Sequence, residues 1–166
     1  MIVLEALFTQ FEEILQQETE LYCKILEISK KKVDIIIAGD IAGLDNVTKV
    51  EQGLILHAGA LERRREQFIQ EKMMKYDGMS SCKTLSELIQ FAPASHKQQL
   101  ASIGNELGAL LEEQKDINTL NSSLIRNNLE YIDNILSKIQ GNTDVYNMGG
   151  TKVKGDFDTS VLDKKI

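Results

Sequence analysis

Tryptophan is missing from this 166-residue chain, proline occurs once, cysteine twice, and aromatic residues make up only 5%. So few aromatics, beside abundant Leu, Ile, Glu, Gln, Lys and Ala, argue against a sandwich or barrel and for long amphipathic helices. The single Pro93 leaves long stretches without a helix breaker, and the length is enough for one domain with its own core. Cys23 and Cys82 belong to no CxxC pair, and His57 and His96 stand at no metal-ligand spacing with them. Two free thiols and no structural metal are expected. The net charge of −6 and the pI near 5.0 oppose attraction to nucleic-acid phosphates or anionic headgroups. Met1-Ile2-Val3-Leu4 meets Glu5 with no basic n-region, and no apolar run approaches the ~18 residues of a membrane span. The expected place is the cytoplasm, with no nucleic-acid partner and no membrane insertion.

Catalytic signatures are missing too. There is no GxSxG, no HExxH and no Walker loop, and neither histidine has a Glu three residues before it, which removes the Glu-x-x-His pattern of di-iron bundles. Glu18 is the only carboxylate whose position in an apolar series implies partial burial, and one carboxylate makes no acid-base pair. The chain reads as non-enzymatic, with no cofactor.

What is present is periodicity. Leu4, Leu7, Phe11, Ile14, Leu21, Ile25, Ile28 and Ile35 alternate three- and four-residue steps, with Glu18 and Lys32 in the same register, which is a heptad seam. Phe8, Leu15 and Tyr22 widen the stripe enough to meet two neighbouring helices. Gly39-Asp40 supplies a helix stop and an N-cap, after which a second helix is predicted from Ile41 to about Tyr76 through Leu44, Val47, Leu54, Ala58, Leu61 and Phe68. Gly43, Gly53 and Gly59 weaken it by up to ~1 kcal/mol each unless they permit close helix approach. Asp77-Gly78 breaks it, a loop follows, and a short helix from Leu85 to Phe91 is closed by Ala92-Pro93. The last helix is predicted from near Ser95 to about Gln140, ended by Gly141. Its seam is Leu100, Ile103, Leu107, Leu110, Gln114, Ile117, Asn121, Leu124, Asn128, Tyr131 and Ile135.

The fold class expected is all-α, an elongated up-and-down bundle of three long antiparallel helices plus a short helix, over residues 1–141. A flexible C-terminal tail is expected over 142–166, where glycines mix with Asp, Lys and Thr without a sustained core pattern. Within that tail Phe157, Val161, Leu162 and Ile166 are spaced for one face of a short helix that Asp158 or Thr159 could cap. Such a face fits a segment that folds on a partner, and equally a tail that packs on its own bundle.

Gln114, Asn121 and Asn128 recur every seven residues on the last seam. Buried amides of this kind penalise slipped helix pairings; alternatively they line a groove for a partner helix. The run Glu62-Arg63-Arg64-Arg65-Glu66 points around most of its helix and reads as solvated surface rather than an anion site.

Taken in order, these segments resemble the FlgN family. The likeness covers about residues 4 to 150. It includes Leu15 through Glu18 and Leu21, the Asp40 and Leu44 turn, Glu51-Gln52 through Leu61-Glu62-Arg63-Arg64-Arg65, and Thr84-Leu85-Ser86-Glu87-Leu88-Ile89. Asn118-Thr119-Leu120-Asn121-Ser122-Ser123-Leu124-Ile125, with Tyr131, Leu136 and the Tyr146 to Gly149 element after it, is the most specific part.

The resemblance implies a cytoplasmic, all-α export chaperone of the bacterial flagellum that binds hook-filament junction proteins of the FlgK and FlgL type and delivers them to the type III export apparatus. It further implies client binding by the region after the last helix and contact of a tyrosine there, Tyr146, with the export gate. Asn121, Asn128, Phe157, Val161, Leu162 and Ile166 are the client-binding candidates. A homo-oligomeric coiled-coil scaffold or signalling bundle fits the heptads and seam asparagines equally well.

Overall fold

The Gly39-Asp40 stop is built as the sequence predicts. In the computed structural model, which describes residues 2–142, Gly39 takes φ 68°, its N–H bonds to Ile36 O at 3.1 Å and the Asp40 N–H reaches back to Ile35 O at 3.2 Å. This is a Schellman close of α1 (Ile2–Ala38). Asp40 then caps α2 (Ile41–Phe68), its Oδ1 accepting from the Gly43 N–H at 2.9 Å. One residue thus finishes one helix and starts the next, so α1 and α2 lie antiparallel.

α2 stops at Phe68, short of the predicted Tyr76, and passes into a π-helical turn over Ile69–Met73 marked by the Met74 N–H to Ile69 O bond at 2.9 Å. The physical reason lies in the seam. Continued in three-four steps past Leu61 and Phe68, it would point Lys72 and Lys75 inward; the extra residue of the π-turn brings Met73 and Tyr76 to those places instead. Met73 is fully buried and both lysines are exposed.

A 3-10 turn, Met79–Ser81, follows Gly78 (φ 86°), and α3 (Leu85–Gln90) opens with a capping box. There Thr84 Oγ1 accepts from the Glu87 N–H, and the Glu87 carboxylate accepts from the Thr84 N–H in return. α4 (Ala94–Asn142) begins directly after Pro93 and runs through Gly141, the residue at which the sequence predicts its stop. Among the described residues only Gly39 and Gly78 have positive φ, so Gly141 is an ordinary helical residue here.

The fold is therefore all-α, with no strand among the described residues. The chain divides into two compact units, 1–124 and 125–166. In the first, α1 is the centre. Leu7, Phe8, Phe11 and Leu15 pack with Met73, Met79, Leu88, Ala92, Leu100, Ile103 and Leu107, while Leu21 and Ile25 meet Ala58 and Leu61. The wide stripe of α1 does cover two neighbours, α2 on one side and α4 on the other. His96 sits beside Glu5 and Glu12, and Asn121 beside Ser29, so within this unit α4 runs in the same direction as α1. That is the up-down-up order. Gly53 and Gly59 take no part in close helix approach: a Cβ on Gly53 would meet nothing within 4 Å, and one on Gly59 only Arg63 Nη1 at 3.9 Å; the neighbour of Gly43 is the Asp40 carboxylate that caps the same helix.

Candidate functional site

The polar members of the seams come first, because they fix which residues face which. Glu18 of α1 is 1% exposed and accepts from Arg65 Nη1 at 3.1 Å; Lys32 of α1 lies 2.5 Å from the Glu51 carboxylate. Glu18 and Lys32 are fourteen residues apart on α1, and Glu51 and Arg65 fourteen apart on α2 in reversed order, so the two ion pairs define one antiparallel register. Tyr22 Oη donates to Glu62 between them, and Arg64 Nη1 to Gln17 Oε1 at 3.2 Å. Part of the arginine run expected as solvated surface is thus an interhelical device. Burial pushes the Glu18 carboxyl up, Arg65 opposes that, and Glu62 adds to it; burial and the bond to Glu62 push the Tyr22 hydroxyl up to about 12.

The amides of α4 join the same region. Gln114 Nε2 donates to Ser29 Oγ at 2.8 Å, Ser29 Oγ donates to Glu51 Oε1 at 2.8 Å, and Asn121 Nδ2 donates to Ser29 O at 2.9 Å. A polar chain therefore crosses from α4 through α1 to α2. Asn121 is 3% exposed, and its Oδ1 and the Oε1 of Gln114 are buried without a hydrogen-bond partner. Asn128, one heptad later, is exposed. The structure separates the two seam asparagines: the first is enclosed within its own chain and the second is open.

Burial along α4 follows the predicted seam until Leu124 and then ends. Leu100, Ile103, Leu107 and Asn121 are buried, and Leu110, Gln114, Ile117 and Leu124 half-buried, whereas 125–141 are exposed throughout. Yet the described helix of the second unit remains apolar on one side: Ile125 is 38%, Leu129 56%, Ile132 50% and Leu136 43% exposed, in four-three-four steps. Tyr131 and Ile135 continue the seam beside them, also exposed. This is an apolar helical face about 17 Å long, by 1.5 Å per residue, and it offers contact area and shape rather than chemistry. Ile125, Leu129, Ile132 and Leu136 form a second stripe, offset by one position from the seam, which the three-four spacing of the seam alone does not reveal. Glu51 and Arg65 were missed as seam members as well, although they fill the gaps between Val47 and Leu54 and between Leu61 and Phe68.

Tyr146, Phe157, Val161, Leu162 and Ile166 lie outside the described residues. No helix among the described residues is long and apolar enough to cross a membrane.

A comparison with protein-family models matches FlgN protein over residues 1–154. The comparisons with curated proteins and with solved structures found no match. A match over nearly the whole chain agrees with an all-α bundle whose register is locked by its own polar pairs, and it settles the family: the chain belongs to the FlgN family of flagellar export chaperones, a family that is generally non-catalytic.

Proposed function

We propose that this chain is the cytoplasmic export chaperone of hook-filament junction proteins of the FlgK and FlgL type, and that the exposed face of α4 after Leu124 receives a helical segment of the client. The observation that carries the reading is the stripe Ile125, Leu129, Ile132 and Leu136, four apolar side chains in helical register, each between a third and three-fifths exposed. An amphipathic helix laid along such a stripe supplies the apolar cover that water cannot. Burying the rest of each side chain contributes roughly 1 kcal/mol, from the 1.5–3 kcal/mol of full burial. Family membership supports the export role.

Asn128 lies beside the stripe and joins the proposed contact. Asn121 does not, because its amide is already engaged with the backbone carbonyl of Ser29 on α1. Residues 1–141 act as the chaperone domain and 142–166 as a delivery segment, in which Phe157, Val161, Leu162 and Ile166 extend the client contact and Tyr146 meets the export gate. The test is size-exclusion chromatography with light scattering of the full chain with and without a purified junction protein. A complex of one chaperone with one client is expected; a chain that self-associates and ignores the client would instead identify a coiled-coil scaffold.

A further inference from the structure

His96 lies in the first turn of α4, and both of its ring nitrogens face carboxylates of α1. Nδ1 is 2.8 Å from Glu12 Oε1 and Nε2 is 2.9 Å from Glu5 Oε2. The ring is stacked on Phe8, centroids 6.5 Å apart, and its side chain is 12% exposed. Ser95 Oγ donates to the Glu5 carboxylate at 3.2 Å, so the acid is held from two consecutive residues of α4.

A neutral imidazole has one N–H and one bare lone pair, and an ionised carboxylate only accepts. Whichever nitrogen gave up its proton would face a carboxylate oxygen, lone pair to lone pair, at under 3 Å. The doubly protonated ring alone satisfies both contacts. A cation in the first turn of a helix opposes the helix dipole, so nothing in α4 itself favours the charge; Lys97 and Ser95 are the ring's neighbours along α4, and the acidic groups facing it, Glu5 and Glu12, both come from α1.

We propose that Glu5, His96 and Glu12 form a proton-operated clasp between the start of α1 and the start of α4: the imidazolium bridges the two carboxylates, and loss of its proton releases one of them and loosens this end of the unit. The clasp covers apolar ground. Phe8 under the ring belongs to the cluster that holds Leu4, Leu7, Ala92 and Leu100, and loosening would bare that surface.

The electrostatics run the same way. The hydrogen bond to Glu12 raises the His96 pKa, burial opposes the rise, and the charge of Glu12 and the contact with Glu5 add to it, leaving the ring above its ordinary 6.5. A histidine raised in the folded state contributes stability that is complete below the unfolded value, about 6.5, and is lost as pH rises through the folded value. The clasp is closed in mild acid and opens on alkalinisation.

The experiment is nitrogen-detected NMR titration of the full chain carrying His57→Gln, which leaves His96 as the only imidazole. The expected result is protonation of both ring nitrogens in mild acid, a midpoint above that of the same chain in urea, and a lower midpoint in Glu12→Gln. Amide-exchange protection at residues 4–8 and 95–100, corrected for the intrinsic pH dependence of exchange, falls through the same window and loses that dependence in His96→Gln. A folded midpoint at or below the urea value, a single protonated nitrogen in mild acid, or protection that ignores the ring's titration would overturn the proposal.

Discussion

The side-chain amide of Asn121 donates to the backbone carbonyl of Ser29 at 2.9 Å, across ninety-two residues of sequence, while its own Oδ1 is buried without a donor. Half of the group is satisfied and half is not. Ser29 O keeps its place in the α1 helix whatever happens to Asn121, because it sits within the run Ile2–Ala38. Asn121→Leu therefore removes a buried unsatisfied acceptor, adds apolar contact, and is expected to stabilise by about 1 kcal/mol. That is a rise of about 2–4 °C for a chain of this size. Asn128→Leu, on an exposed site, stays within about 0.5 kcal/mol. Thermal melts of the two variants, run together, check the contrast.

The register locked by Glu18 with Arg65 and Lys32 with Glu51 makes a second prediction. Arg65→Met strands the buried Glu18 carboxylate and is expected to cost about 3 kcal/mol, at the lower end of broken buried pairs because Arg65 is 30% exposed. Adding Glu18→Leu recovers most of that loss, since two apolar residues replace two charges. Urea unfolding of both single variants and the double gives the coupling directly.

Glycines separate by what surrounds them. Gly53→Ala and Gly59→Ala put a Cβ into open space inside a helix and are each expected to stabilise by about 0.5–1 kcal/mol. Gly43→Ala drives its Cβ into the Asp40 carboxylate that caps α2, with Asp40 Cγ at 2.8 Å, and is expected to destabilise by roughly the worth of a cap, about 1 kcal/mol. Chemical denaturation distinguishes the signs.

Most of the helical plan was legible because period and punctuation agree. The wide stripe of α1, the Gly39-Asp40 turn, the short helix after Thr84 and the α4 seam down to Leu124 all follow from apolar spacing and capping chemistry. The π-turn was not, since a continuous-looking helix hides one inserted residue; the clue was that the seam past Phe68 lands on Lys72 and Lys75. Glu51 and Arg65 escaped because charged residues on a mixed-charge helix look like surface until a partner charge appears opposite. The end of burial after Leu124 was likewise invisible, because the α4 seam continues through Tyr131 and Ile135, with Ile125, Leu129, Ile132 and Leu136 beside it. Pattern records the wish to be covered and not whether the chain itself supplies the cover.

Tyr146 carries a prediction about delivery. Tyr146→Ala is expected to leave client affinity within about twofold, a change of roughly 0.4 kcal/mol, while secretion of junction proteins falls. Affinity measured on purified proteins and export scored in culture supernatants separate the two effects, and normal secretion would remove the gate assignment.

The most direct test of the central claim is isothermal titration calorimetry of a purified junction protein into the full chain and into the double variant Leu129→Asp, Ile132→Asp. Both substitutions fall on exposed positions of α4, so helicity and melting are expected to stay close to the parent. The parent is expected to bind one-to-one and the variant at least tenfold more weakly, about 1.4 kcal/mol or more. Equal affinity of the two chains, with both folded, would contradict the assignment of the client to this face of α4.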